Sequence, residues 1–321
     1  MNHQFDELTK GLAQPVTRRG ALRQFGVGIA GMALACFGLA NKASAGPSFT
    51  PIDYPDAIAT LAAGVNNNGQ IVGRYVDAAG ILHGYLLSDG CFTSIDLPGA
   101  SATRPLGINL DGDIVGHYVF KGQQEHGFLL RNGAFTAIDF PEAAHTVAVG
   151  INDNGAIAGY YVDARKRTHG FVFNAGTFTR IDYLGAKETE AWRINNSGQV
   201  AGRYLGADGN YHLYRVNNGN FESFDYPGAE QTAPGGYSHV GGLNNLGDIV
   251  SNYASATPYM NLGNPNVSGN VHGLMMSEGA FTSIDVPEAF ETVAFGINDS
   301  RHVVGVYIDK AGRWHGYLLT P

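Results

Sequence analysis

The chain has 321 residues, 15% charged and 44% hydrophobic, with 45 glycines and a formal net charge of −8. So much glycine without a collagen period points to an all-β protein with many turns. An acidic chain without a basic cluster excludes nucleic acid and an anionic membrane surface as partners, because phosphate neutralisation needs Lys and Arg.

In chain order, the first element is an address. Residues 17–23 read Thr-Arg-Arg-Gly-Ala-Leu-Arg, and an apolar run rich in Gly and Ala follows from Phe25 to Ala40. That run is shorter than the roughly 20 residues that span a bilayer. Ala43-Ser44-Ala45 supplies the small-x-small pattern of a signal-peptidase site. The segment resembles a twin-arginine signal peptide, carried by Arg18-Arg19, the apolar Leu22 and the basic Arg23, with Gly20 as a variation. The resemblance implies export in the folded state to the periplasm or beyond. It divides the chain into 1–45, removed, and 46–321, the mature part, which has no transmembrane segment. A weak lipobox, Ala33-Leu34-Ala35-Cys36, competes poorly because the apolar run continues past it. Loss of residues 1–45 would take away Cys36, leave Cys91 as a lone half-buried hydrophobe, and bring the charge to −11 (15 basic, 26 acidic residues).

The mature part repeats. A Phe-x-x-[Ile/Phe]-Asp-x-Pro pattern begins at Phe49, Phe92, Phe135, Phe178, Phe221 and Phe281, at spacings of 43, 43, 43, 43 and 60 residues. The proline is lost once, at Leu184. Each unit holds four short β-type runs; in the second they are Phe92–Asp96, Thr103–Asn109, Asp113–Val119 and His126–Leu130. Asp89-Gly90, Asn132-Gly133 and Asn218-Gly219 are tight-hairpin pairs that join a fourth run to the first run of the next unit. Four strands per 40–45 residues predicts an all-β, six-bladed β-propeller with four strands per blade. The repeat starts on a Phe-Thr strand at residue 49 and stops on a His-Gly-Tyr-Leu-Leu strand, so the N- and C-terminal strands are expected to pair and close the ring. The Gly-Ile-Asn run is expected innermost, with Gly64, Gly107, Gly150, Gly242 and Gly296 where strands crowd the axis.

The Gly-Ile-Asn, Asn-x-Gly, Ile-Val-Gly-x-Tyr and His-Gly-Phe/Tyr-Leu elements together resemble the "HAF" class of bacterial extracellular repeats, over residues 49–321. Gly replaces the Ala of the His-Ala-Phe tripeptide in five copies, and Leu213 in the fourth. The resemblance implies an exported repeat protein and no particular ligand or activity.

Each unit carries a histidine (His83, His126, His169, His212, His272, His315) and a first-strand aspartate (Asp53, Asp96, Asp139, Asp182, Asp225, Asp285). Centring a two-residue hairpin on Asp89-Gly90 opposes His83 to Asp96. The same arithmetic pairs His126 with Asp139, His169 with Asp182, His212 with Asp225 and His272 with Asp285, and ring closure pairs His315 with Asp53. Opposed side chains lie within hydrogen-bond reach. A structural pair in every blade is therefore expected instead of a metal ring or a catalytic triad, and no metal or cofactor is expected. The repeated Tyr75, Tyr118, Tyr161, Tyr204, Tyr253 and Tyr307 are read as packing between blades.

Function is then expected where the units differ. The fifth is 17 residues longer, with insertions in Gln231–His239 and about Ala254–Asn270 that emerge on one rim. Non-repeated side chains nearby make Arg104, Glu190, Trp192, Arg193, Tyr237, His239 and Tyr259 the ligand-binding candidates. The reading is an exported, non-catalytic, monomeric binding module for a carbohydrate or a protein. The alternative is a hydrolase or lyase at the propeller mouth, which would need Arg104, Glu190, Arg193 and His239 to converge on one reacting atom. Cation binding in the axial channel is a third and poorer reading.

Overall fold

The structure, a computed structural model, describes residues 47–227, 231–232, 241–254 and 271–321. The expected signal segment lies outside the described residues. So do Tyr237, His239, Tyr259 and most of both fifth-unit insertions.

Among the described residues all regular structure is β, in small antiparallel sheets with a propeller-like arrangement. Three sheets have four strands each, spanning Ala102–Ile138, His145–Ile181 and Glu188–Phe224. A further sheet orders Ile249–Ala254, Val271–Ser277 and Ala280–Ile284, with the short pieces Gln231–Thr232 and Gly242–Leu243 both on Ile249–Ala254. The largest has eight strands, running from Glu291–Ile297 to Trp314–Thr320 and on through Ala59–Val65 to Cys91–Ile95. Its halves meet at a single parallel bridge, Ala59 to Trp314. Ser48–Ile52 pairs antiparallel with the chain's last strand, from Ser48↔Thr320 to Ile52↔Gly316.

The local chemistry explains the strand order. Asp89 and Gly90 take φ of 53° and 75°, the two positive values that a tight two-residue hairpin requires. Ala175-Gly176 and Glu278-Gly279 adopt the same turn without an Asn or Asp, so the hairpin recurs where its usual residue pair does not. Each Gly-x-Tyr strand accommodates an aromatic ring from its neighbour. A Cβ on Gly116 would stand 2.1 Å from the Arg104 carbonyl oxygen and 2.8 Å from the ring of Phe128, which is fully buried.

Cys91 is half-buried at the start of the strand Cys91–Ile95; the sequence's one other cysteine, Cys36, lies outside the described residues.

At one end of the inner strands six asparagines form a closed cycle. The Nδ2 of Asn66 donates to the carbonyl of Asn109, which donates to that of Asn152, and so on through Asn195, Asn244 and Asn298 back to Asn66, at 2.8–3.3 Å. The Oδ1 of the same residue closes its own turn; that of Asn152 accepts from the backbone N–H groups of Asn154 and Ala156. One buried side chain thus satisfies its own turn and its neighbour's carbonyl, as buried polar groups require. A second tier of bonds runs outside the first, with the Asp299 N–H donating to Asn67 and the Asp153 N–H to Asn196.

Candidate functional site

The repeated histidines sit at the sheet corners. Nδ1 lies 3.1 Å from the Asp96 carboxylate in His83, 3.1 Å from Asp139 in His126 and 2.8 Å from Asp182 in His169. The corresponding distances are 2.8 Å for His212–Asp225, 2.7 Å for His272–Asp285 and 2.9 Å for His315–Asp53. Among the described residues, four of these rings have a second carboxylate at Nε2, from Asp77, Asp163, Asp208 or Asp309 in the turn that precedes the histidine's own strand. Sequence reasoning missed these four. The signal was the aspartate that closes each of those turns, as Asp77 does by accepting from the Ala79 and Ile81 N–H groups. Each histidine also packs its ring against its unit's tyrosine, at ring-centroid distances of 5.0–5.4 Å, stacked in five units and tilted for Tyr161–His169. Hydrogen bonding to Asp139 raises the pKa of His126 against the opposing effect of burial.

The described candidates occupy three separate networks. Arg104, third in its inner strand, opposes His117. Its Nη1 lies 3.1 Å from His117 Nε2 and 3.5 Å from Glu125 Oε1. Burial, with the Arg104 and Arg74 charges, pushes the His117 pKa down to about 3. The ring is therefore neutral: Nε2 accepts from Arg104, and the buried Nδ1–H has no partner among the described residues. Glu190 and Arg203 form a bidentate pair, 2.9 Å on each arm, and the Trp192 indole donates to Glu190 at 2.7 Å. The Arg203 guanidinium also lies 4.2 Å from the centre of the Tyr211 ring. Arg193 turns away from both networks, toward the axis, and spends all five of its N–H groups on backbone carbonyls. Among the described residues no hydrogen bond or ion pair links Arg104, Glu190 and Arg193, so these three do not assemble around one reacting atom.

Tyr160, which sequence reasoning passed over, lies between the first two networks. It stacks on Trp192 at 5.8 Å. Burial raises its pKa, and Glu190 and Glu125 raise it further against the opposing Arg203 and Arg104 charges, so both networks act on its hydroxyl. It occupies the variable position of the Gly-x-Tyr strand, which also supplies Arg74, His117 and Arg203. That alternation of type at one register position was the legible signal. A cavity of about 70 Å³ lies at the other end of the inner strands, lined by the asparagine cycle together with Asp153 and Asp299.

The sequence matches no family model and no curated protein. Among solved structures it is similar to a triple arginine-to-alanine mutant of AofleA from Arthrobotrys oligospora, at 13% identity and a TM-score of 0.51, covering 85% of this chain and 86% of that one. It is also similar to the Aleuria aurantia lectin in complex with Fucα1-6GlcNAc, at 12% identity, a TM-score of 0.48 and coverage of 81% and 91%. TolB from Acinetobacter baumannii matches at 14% identity and a TM-score of 0.47, covering 83% of this chain and 64% of that one. The likeness is one of fold.

Proposed function

We propose that the chain is a six-bladed propeller with four strands per blade, exported behind a twin-arginine signal, that binds a carbohydrate without transforming it. Reading the eight-stranded sheet as two blades rests on the single bridge between its halves. Counting the split sheet as one blade, with Gln231–Thr232 and Gly242–Leu243 as its interrupted inner strand, gives six, matching the six asparagines of the cycle. The HAF-type resemblance and the segment 1–45 support a periplasmic or extracellular location.

The binding reading rests on one observation: the non-repeated polar and aromatic side chains gather in the second, third and fourth blades, around Tyr160. Pairing registers put the loop that enters an inner strand and the turn that precedes the repeated histidine at one end of the sheet, as Ala102↔Val119 shows with the Asn109–Asp113 turn at the other end. The ligand is assigned to the strand-entry end, beside Arg104, Glu125 and Tyr160; most of the fifth-unit insertions, expected from the sequence on the same rim, lies outside the described residues. Paired carboxylate and guanidinium groups next to aromatic faces suit the hydroxyls and apolar faces of a sugar.

A glycan array probed with the exported protein, followed by calorimetry on the best hit, tests this. Arg104→Ala, Tyr160→Ala and removal of residues 255–270 should each weaken binding about tenfold or more, a loss of about 1.4 kcal/mol. A chain that binds no glycan, or one indifferent to all three changes, refutes the assignment. Replacing Arg18 and Arg19 together by Lys should abolish export of a folded reporter carrying residues 1–45; unimpaired export refutes the route.

A further inference from the structure

The inner strands share an irregularity that the repeat pattern does not announce. In each of the five that are continuous, the pairing register skips one residue: Ala63, Leu106, Val149, Trp192 or Phe295. A bulged residue is left out of the ladder, so its carbonyl needs a partner elsewhere. Gly241 holds the matching position in the split strand, three residues before Asn244.

The residue after the bulge is glycine in five units, and the spacing explains it. A Cβ on Gly107 would stand 2.6 Å from the Val149 carbonyl oxygen, one on Gly150 2.7 Å from that of Trp192, and one on Gly64 2.9 Å from that of Leu106. Each glycine lets the next bulge carbonyl come up to the axis. The fourth unit alone has a side chain there, Arg193, facing a neighbour whose bulge position is itself glycine.

Arg193 reaches across the axis. Its Nε donates to Gly241 at 2.6 Å, Nη1 to Val149 at 3.0 Å and Trp192 at 3.4 Å, and Nη2 to Phe295 at 2.9 Å and Ala63 at 3.3 Å. Five donors meet five carbonyls from five different inner strands. Among the described residues no carboxylate pairs with it. Burial alone lowers its pKa, to about 10, which leaves it charged at neutral pH.

We propose that the bulge carbonyls form an axial cation site specific for a planar guanidinium, and that Arg193 is its resident, tethered occupant. A ring of carbonyl dipoles replaces the hydration shell of a cation without a counter-charge, and the guanidinium is the side chain with five donors in one plane. The axis is then a filled site that ties five strands together, and ligands are confined to the faces. This inference does not depend on the carbohydrate reading, because it concerns the axis and is read out without any sugar.

The full chain tests it through three variants. Arg193→Met preserves length and bulk but removes charge and donors; its Tm should fall by about 4–8 °C. Arg193→Lys, with three donors, should fall between Met and wild type. Arg193→Gly restores the repeat residue and empties the site. It should regain at least half of its lost Tm in 20 mM guanidinium chloride and none in 20 mM sodium chloride, while the wild type responds to neither. In the ¹⁵N-labelled wild type, the Arg193 Nε–H should give a resolved, slowly exchanging resonance. A Met variant as stable as wild type, or a Gly variant that guanidinium helps no more than sodium, overturns the proposal. If the Gly variant does not fold, the Met–Lys order and the Nε–H resonance decide.

Discussion

Asn152→Ala measures what the asparagine cycle contributes. The side chain is 5% exposed, and its loss removes three hydrogen bonds: the Ala156 N–H at 2.9 Å, the Asn154 N–H at 3.1 Å and the Asn195 carbonyl at 2.9 Å. Asn154 lies toward solvent, so water can take over its N–H. The Ala156 N–H and the Asn195 carbonyl are buried, and each orphaned buried group costs about 1–3 kcal/mol. Allowing for partial relaxation, the total is about 2–5 kcal/mol, which for a domain of this size is a fall in Tm of about 5–15 °C. Differential scanning calorimetry on Asn152→Ala and on the control Asn154→Ala reads it. Asn154 donates to the Asn196 carbonyl from an exposed position, and its loss should cost about 0.5 kcal/mol or less. Equal shifts in the two variants, or an Asn152→Ala shift under about 1 °C, would refute the view that the cycle binds neighbouring sheets together.

Three further outcomes follow from the same contacts. Phe128→Ala, which empties a fully buried ring position against Gly116, should cost about 3–5 kcal/mol in urea unfolding, and a loss under about 1 kcal/mol would contradict the packing described. Glu291 is 3% exposed, its Oε1 has no hydrogen-bond partner among the described residues, and burial pushes its pKa up to about 7. The folded state therefore holds a proton that the unfolded chain releases near pH 4.3, and stability drains away as pH rises from there through about 7. Glu291→Gln should raise Tm at pH 8 relative to pH 5; an unaltered pH profile would rule this out. For His126, raised by Asp139, the linked stability is complete below about pH 6.5 and is lost as pH climbs through the folded value. NMR titration of its ring should show that value falling in Asp139→Asn, and no change would remove the pair as the cause.

Much of the architecture was readable because it is carried by residue types at fixed offsets. The Asp-Gly and Asn-Gly hairpins set a register that opposes Gly84 to Ile95, from which the His83–Asp96 juxtaposition follows by counting. The phase of the repeat likewise put residues 49–53 beside the last strand, where Phe49 opposes Leu319. Two features could not be read because their partners are backbone carbonyls, which every residue has. The asparagine cycle ends on carbonyls one unit away, and no side-chain type marks them. Arg193 was grouped with Arg104 and Glu190 because all three stand a few positions before the Gly-Ile-Asn asparagine of their units, at the mouth of the expected inner strands. The skipped residue at Trp192 then swings it to the axis, and no propensity predicts that bulge. Glu190 was taken as available to a ligand because its partner, Arg203, lies 13 residues away on a strand whose variable position was left uninterpreted.

The pairing of Ser48–Ile52 with Trp314–Thr320 has a consequence in time. Ser48 and Thr320 share a 2.7 Å hydrogen bond across 272 residues of sequence, and His315 meets Asp53 across 262. Neighbouring sheets can gather as synthesis proceeds, because their contacts reach back only one unit. The sheet that holds Trp314–Thr320 must wait for those residues to leave the ribosome and then recover a strand made 262 residues earlier. Loop-closure entropy makes such a contact slow to form. Until that pairing forms, a growing chain is therefore an open arc with two raw edges, and completion is an event at one seam.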